Sequence, residues 1–166
     1  MERVMVIGSN GAGKSTFSYE LSAKTELPLI HIDKIYWRNH WEVTSREEFE
    51  RMVFSEAQKR YWIIEGNNLR SLNQRLQYAD TVIWFEFSPI MCLINILKRE
   101  FKYRKKVRPD MPDECISKLN IDFLKVVWKF NKKNHAKIES FLKIEKNIEV
   151  VRITNYRQVR NYFNSM

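Results

Sequence analysis

Gly8-Ser9-Asn10-Gly11-Ala12-Gly13-Lys14-Ser15 sets the class of this chain. The run fits Gly, any four residues, Gly, Lys and then Ser or Thr, the pattern of a phosphate-binding loop. Three of the chain's four glycines fall inside it, so a glycine-poor sequence has gathered its conformational freedom in one place. Lacking a Cβ, those positions tolerate positive φ and let backbone N–H groups curl inward around an anion. The flanks agree with the loop. Arg3-Val4-Met5-Val6-Ile7 reads as a short buried strand, and Ser15-Thr16-Phe17-Ser18-Tyr19-Glu20-Leu21 as the opening of a helix. Strand, loop and helix in that order form the context in which this pattern binds phosphate. The expected nucleotide contacts are therefore Gly8, Ser9, Asn10, Gly11, Ala12, Gly13, Lys14, Ser15 and Thr16. Lys14 would place a point charge on the β- and γ-phosphates of ATP, and the Ser15 hydroxyl would ligate Mg²⁺. The helix N-terminus beneath them adds its own partial positive charge.

Strand and helix signals alternate through the rest of the chain. Pro28 closes the first helix, expected over 14–25, and Leu29-Ile30-His31-Ile32 makes a second strand ending at Asp33. Ser45 with Glu48 three residues later is a capping box, opening a helix to about Arg60. Tyr61-Trp62-Ile63-Ile64 reads as a strand closed by Glu65-Gly66, a short helix follows near 70–78, and Thr81-Val82-Ile83-Trp84-Phe85 is a fourth strand. From Ser88, with Pro89 at the first helical position, a helix runs to about Lys105. Pro109 and Pro112 then bias the residues before them toward extended shapes and interrupt it. Helix resumes from about Lys118 to Glu145, with Trp128 and Phe130 expected in the core. A last strand covers 147–153 and a terminal helix 155–164. Strands joined by helices imply a parallel sheet covered on both faces, with ligands beyond the carboxyl ends of its strands. The expectation is one α/β domain over residues 1–166.

Bulk properties narrow the partners. The longest uncharged stretch, 87–97, is far short of the ~20 apolar residues a membrane span needs. The chain enters its first strand with no signal-peptide pattern, and Cys92 and Cys115 lack metal-ligand spacing. Reduced structural thiols in the cytoplasm follow as the simplest reading. Net charge is +9, and 98–133 carries twelve Lys and Arg against five Asp and Glu, so this block alone accounts for +7. Such a block wants an anionic partner, and the phosphate loop favours a nucleotide over nucleic acid. The pattern carries no mark of an oligomeric state.

Two carboxylates, Asp33 and Glu65, are expected at strand ends on the side of the loop. Glu65 would hold Mg²⁺, and Asp33 would take the proton of an acceptor hydroxyl or bind the acceptor. Among the basic residues of 98–108, Arg99, Arg104 and Arg108 are candidates to meet charge that develops during phosphoryl transfer, on a lid over about 99–117. On a continuous helix Arg104 and Arg108 would share a face. His31 reads as a packing residue, while Trp37 and Trp41 either pack or shape an acceptor site.

Taken together, His31-Ile32-Asp33-Lys34-Ile35-Tyr36-Trp37, Trp62-Ile63-Ile64-Glu65-Gly66-Asn67, Tyr103-Arg104 with Arg108-Pro109-Asp110-Met111, and Asp122-Phe123-Leu124 with Trp128-Lys129-Phe130 resemble the bacterial DNA topology modulation proteins. That group belongs to the adenylate-kinase-like P-loop kinases, and the likeness runs in order from Arg3 to about Ile153. It implies the nucleoside/nucleotide kinase fold, three layers around a five-stranded parallel sheet, with a helical lid bearing arginines. It further implies that Asp33, with Tyr36 after it, serves as base. The family's third strand usually ends Asp-Gly-Asn where this chain has Glu65-Gly66-Asn67, and glycines expected shortly afterward are replaced by Leu69-Arg70. Arg75 matches a basic position of the family. The acceptor candidates are Asp33, Tyr36, Trp37, Asn67, Arg70 and Arg75, the two arginines mattering most for an acceptor that carries phosphate. The resulting expectation is an ATP- and Mg²⁺-dependent kinase acting on a small acceptor, a nucleoside or nucleotide. Its rivals are a nucleotide-switched DNA-binding regulator, which no helix-turn-helix or zinc-ligand pattern supports, and a P-loop NTP hydrolase.

Overall fold

Val4, Met5, Val6 and Ile7 are all buried, the signature of a central strand covered on both sides, and they make up most of β1 (Arg3–Gly8). The computed structural model describes residues 1–104, 106–116, 119–144 and 147–166. In it β1 pairs in parallel with β3 (Trp62–Glu65) on one side and β4 (Thr81–Phe85) on the other. β2 (Leu29–His31) adds beyond β3, and β5 (Glu149–Ile153) beyond β4, giving the order β2-β3-β1-β4-β5. The register sets Val6 beside Glu65 and Glu65 beside His31, so β2 and β3 end level and β1 runs on to Gly8 at the same edge. That shared edge is where a site belongs in an open parallel sheet.

Alternation along the strands sorts side chains into two cores. Met5, Ile7, Ile64, Val82 and Trp84 pack under α3 (Arg46–Ala57), α4 (Leu72–Leu76) and much of α6 (Ile121–Ile144). Val4, Val6, Ile63, Ile83 and Phe85 pack against α1 (Lys14–Thr25), α5 (Pro89–Lys102) and α7 (Tyr156–Asn164). The result is a three-layer α/β fold on a five-stranded parallel sheet. Trp62, fully buried, satisfies its indole N–H on the Ala57 carbonyl at 3.0 Å. The expected caps are in place: Ser45 accepts the Glu48 N–H, and Ser88 accepts the Met91 N–H. No helix among the described residues is long and apolar enough to cross a membrane. Cys92 and Cys115 are buried and unbridged.

Four expectations are corrected. β2 stops at His31, and the chain turns at once into the one-turn helix α2 (Ile32–Tyr36), so Asp33 lies in a helix and not at a strand end. α3 ends at Ala57, short of Arg60. α5 ends at Lys102; its expected limit Lys105, with Lys118 and Glu145 for the next helix, lies outside the described residues. Trp128 is 52% exposed, because α6 buries the stripe Val127, Phe130, Ile138 and Leu142 and Trp128 falls off it. Between α5 and α6, the described residues 103–104 and 106–116 form no regular helix, as the two prolines require, and an antiparallel bridge joins Val107 to Ile116.

Candidate active site

The phosphate loop is shaped by two steric demands. Gly8 has φ 135°, and a Cβ there would sit 2.3 Å from the Phe85 carbonyl oxygen. At Gly11, φ 80°, it would sit 2.3 Å from the Cys92 carbonyl oxygen. No L side chain fits either position. Side-chain amides pin the loop from both flanks: Asn67 Oδ1 accepts the Gly8 N–H at 3.0 Å, and Asn95 Nδ2 donates to the Gly11 carbonyl at 2.7 Å. α1 then starts directly behind Gly13 with no side-chain cap, leaving its first-turn N–H groups to serve an anion. Lys14 is buried and arches back, its Nζ donating to the Ser9 carbonyl at 3.2 Å and lying 3.7 Å from Glu65 Oε1. Thr16 is exposed on the first turn of α1.

Glu65, at the end of β3, is the hub of the polar cluster. Ser15 Oγ lies 3.3 Å from its Oε2, and His31 Nδ1 lies 2.9 Å from the same oxygen. His31 is therefore not simply a packing residue, as the sequence suggested. It holds a carboxylate, and Tyr19 braces its ring at 5.1 Å. Asp33 faces this cluster from α2. Burial, followed by the charge of Glu65, pushes its carboxyl up to about 6, with Lys14 and Arg108 pulling the other way. At neutral pH it is ionised yet a better proton acceptor than an ordinary aspartate.

A cavity of about 520 Å³ opens between the loop and the lid. Asn10, Asp33, Tyr36, Trp37 and Asn67 line it, and so do Arg99 from α5 and Arg108 from the lid. Trp37 meets Tyr36 and Trp41 edge to face, making an aromatic wall that Trp41 extends into the cavity. Arg99 has a buried Nε with no hydrogen-bond partner. Burial, more than the neighbouring Arg108, lowers its pKa. Two contacts tie the stretch after α5 to the segment after α2: Trp41 Nε1 donates to the Ile116 carbonyl at 3.2 Å, and Cys115 Sγ lies 3.3 Å from the Arg38 carbonyl.

Three of the sequence's candidates stand elsewhere. Arg104 is exposed and does not line the cavity, because α5 ends before it and the helical spacing linking it to Arg108 does not apply. Arg70 is exposed and likewise absent from the lining. Arg75 is fully buried and spends its guanidinium on the carbonyls of Ser71, Gly66 and Asn68, at 3.3, 3.2 and 2.9 Å. It braces the chain after β3 and is not free to bind an acceptor. Sequence reasoning missed His31 and Asp110 as polar partners of the loop. Asp110 Oδ2 lies 3.1 Å from Ser15 Oγ, and its signal was the Arg108-Pro109-Asp110-Met111 run already noted.

No family model matches the chain, and no curated protein matches it in sequence. Solved structures do match. A shikimate kinase from Bacteroides thetaiotaomicron aligns over 99% of this chain and 95% of its own, with 13% identity and a TM-score of 0.60. A sugar kinase from Janibacter sp. HTCC2649 aligns over 99% and 93%, with 12% identity and a TM-score of 0.53. The chain has the P-loop kinase fold.

Proposed function

We propose that this chain is a phosphotransferase that moves the γ-phosphoryl group of ATP, with Mg²⁺, to the hydroxyl of a small acceptor, a nucleoside or nucleotide. One observation carries the reading. Asn10 of the phosphate loop, a carboxylate raised to about 6 at Asp33, and the arginines Arg99 and Arg108 border a common cavity of about 520 Å³, with the loop's buried Lys14 within electrostatic reach of Asp33. Both structural neighbours are kinases, which supports it, and the likeness to the topology modulation proteins points to the same enzyme class. The donors beside Lys14 suit Mg²⁺, a hard cation that takes oxygen ligands and keeps several waters: the Ser15 hydroxyl and the Glu65 carboxylate would hold it. When bound, the ion neutralises charge on the phosphate oxygens.

The chain's own groups do the rest. Lys14 and the N–H groups behind Gly13 face the phosphates. Asp33 takes the hydroxyl proton as the new oxygen–phosphorus bond forms and the bond to ADP breaks. Arg99 and Arg108 meet the charge that builds on the transferred group. Trp37 and Trp41, set edge to face, each offer an apolar aromatic surface, with the Asn67 amide also lining the cavity, which suits a nucleobase. ADP release from ATP–Mg²⁺, measured across a panel of nucleosides, nucleotides and small alcohols, tests the reading. At least one nucleoside or nucleotide should raise the rate well above the acceptor-free level. ADP release that no acceptor changes would make the chain a hydrolase.

A further inference from the structure

Asp110 has no task in the mechanism above, yet it reaches the centre of the site. Its Oδ2 lies 3.1 Å from Ser15 Oγ across 95 positions of sequence, and its Oδ1 lies 3.6 Å from Arg108 Nε. Glu65 Oε2 lies 3.3 Å from the same hydroxyl. A serine hydroxyl carries one proton, so it can donate to only one of these carboxylates at a time. The lid thus brings a second negative charge to the serine beside a loop built for polyphosphate, where added negative charge repels the ligand. A divalent cation reverses that sign. Mg²⁺ is commonly held by one or two carboxylates, water and phosphate oxygens, and not by an all-protein cage. Among the described residues no group of three or more His, Cys, Asp and Glu could hold a metal, so a cation at Ser15 would need nucleotide oxygens and water to complete its shell.

We propose that Asp110 is a positioning residue for the divalent cation of the nucleotide complex, carried on the lid so that lid closure and metal binding are one event. The proposal rests on the phosphotransferase reading above. The same segment docks on the aromatic side through Trp41 to Ile116 and Cys115 to Arg38, so a cation that fixes Asp110 also fixes the wall of the acceptor cavity.

Calorimetric titration of ADP into the full chain, once with chelator and once with excess Mg²⁺, separates this role from others. In Asp110→Asn, ADP should bind several-fold more tightly without metal, because a like charge near the phosphates is gone. The gain that Mg²⁺ confers should shrink by about tenfold or more, since one unit charge at about 4 Å is worth from about fivefold in bulk water to about a thousandfold near a protein surface. Mn²⁺ titrated into the ADP complex and followed by electron paramagnetic resonance should be held correspondingly more weakly. Glu114→Gln makes the same charge change on the same segment at an exposed residue paired with His40, and should alter neither quantity. Asp110→Glu, which keeps the charge, should recover part of the metal effect and carries the test if the asparagine variant fails to fold. A merely structural role, in which Asp110 only orients Arg108, predicts equal weakening with and without metal, and that result overturns the proposal. Unchanged Mg²⁺ dependence in Asp110→Asn also overturns it while leaving the phosphotransferase reading intact. Failure of the wild-type chain to bind ADP under either condition defeats that reading, and this proposal with it.

Discussion

The two walls of the cavity are made of different material. On the phosphate-loop side the working groups are largely backbone: glycines held against the Phe85 and Cys92 carbonyls, amides from Asn67 and Asn95 pinning the turn, and the open start of α1. On the opposite side they are side chains, Arg99 on α5 and Arg108 after it, with Asp110 close by at Ser15, on a stretch joined to the rest by contacts such as Trp41 to Ile116 and Cys115 to Arg38. A wall of backbone is preformed and rigid. A wall of side chains on a sparsely bonded segment can lift and re-close, since local opening draws on the least-bonded parts of a fold. Under the proposed function, nucleotide binding would belong to the first wall and commitment to reaction to the second.

Asp33 sits between the walls, and its loss should have the largest effect. Asp33→Asn keeps shape and most hydrogen bonding but cannot take a proton. Turnover should fall about 10²–10⁴-fold, while ATP–Mg²⁺ affinity stays within a few-fold. Wild-type turnover should also decline as pH falls through about 6, where burial and Glu65 place the Asp33 carboxyl. Stability runs the other way. The folded pKa lies above the unfolded value of 3.8, so the native state holds more protons between the two, and stability is lost as pH rises through about 6. The asparagine variant escapes that loss and should be more stable than wild type at pH 7.5, on the order of 1–2 kcal/mol. Near wild-type turnover in Asp33→Asn would remove it as the base and point to an acceptor that needs no deprotonation.

Two arginines make the contrast quantitative. Arg75 braces the chain behind the first wall with bonds to three carbonyls, and burial pushes its pKa down to about 10, still charged at neutral pH. Arg75→Ala empties a fully buried position and takes the guanidinium donor from the Gly66 carbonyl, while the Ser71 and Asn68 carbonyls keep the residue-75 N–H and the Ser71 hydroxyl. It should cost about 3–5 kcal/mol in denaturant unfolding. Arg99→Ala, on the second wall, should cost about 1 kcal/mol or less in the same unfolding experiment and slow turnover by about tenfold or more. If Arg99 proved the stability residue and Arg75 the kinetic one, the assignment of the two walls would be inverted.

What could be read from sequence follows the same division. Backbone-built features are local: β1, the loop and α1 lie within 25 residues, and each glycine states its own requirement. The Ser45 capping box is a similarly short pattern, whereas the order of strands across the sheet is set by pairing between distant segments. Side-chain assignments failed where they depended on direction or on distant partners. Nothing near Arg75 tells whether its guanidinium turns to an acceptor or to carbonyls nearby. The expectation for Arg104 assumed a helix that Tyr103 in fact terminates. Asp33 was placed at a strand end because β2 and α2 adjoin without a loop. His31 and Asp110 meet the site across 34 and 95 positions, which no local pattern encodes.

The smallest expected effect marks the outer boundary of the lid wall. Arg104 and Lys106 are exposed, whereas Arg108 is buried against the cavity. Charges in open solvent act weakly beyond a Debye length of about 8 Å at physiological salt. Removing both as Arg104→Ala with Lys106→Ala should therefore change turnover and ATP affinity by less than about twofold, against about tenfold or more in turnover for Arg108→Ala. The same double variant examines the nucleic-acid alternative. If these cations contacted duplex DNA, their loss would flatten the dependence of log K on log salt by about 0.9 for each contact. Random duplex DNA binding that is weak at physiological salt, with a slope the double variant leaves unchanged, fits a lid whose exposed cations serve solubility. A loss of turnover in the double variant matching that of Arg108→Ala would mean that the helix preceding the lid extends beyond Lys102 in the working enzyme and turns Arg104 inward.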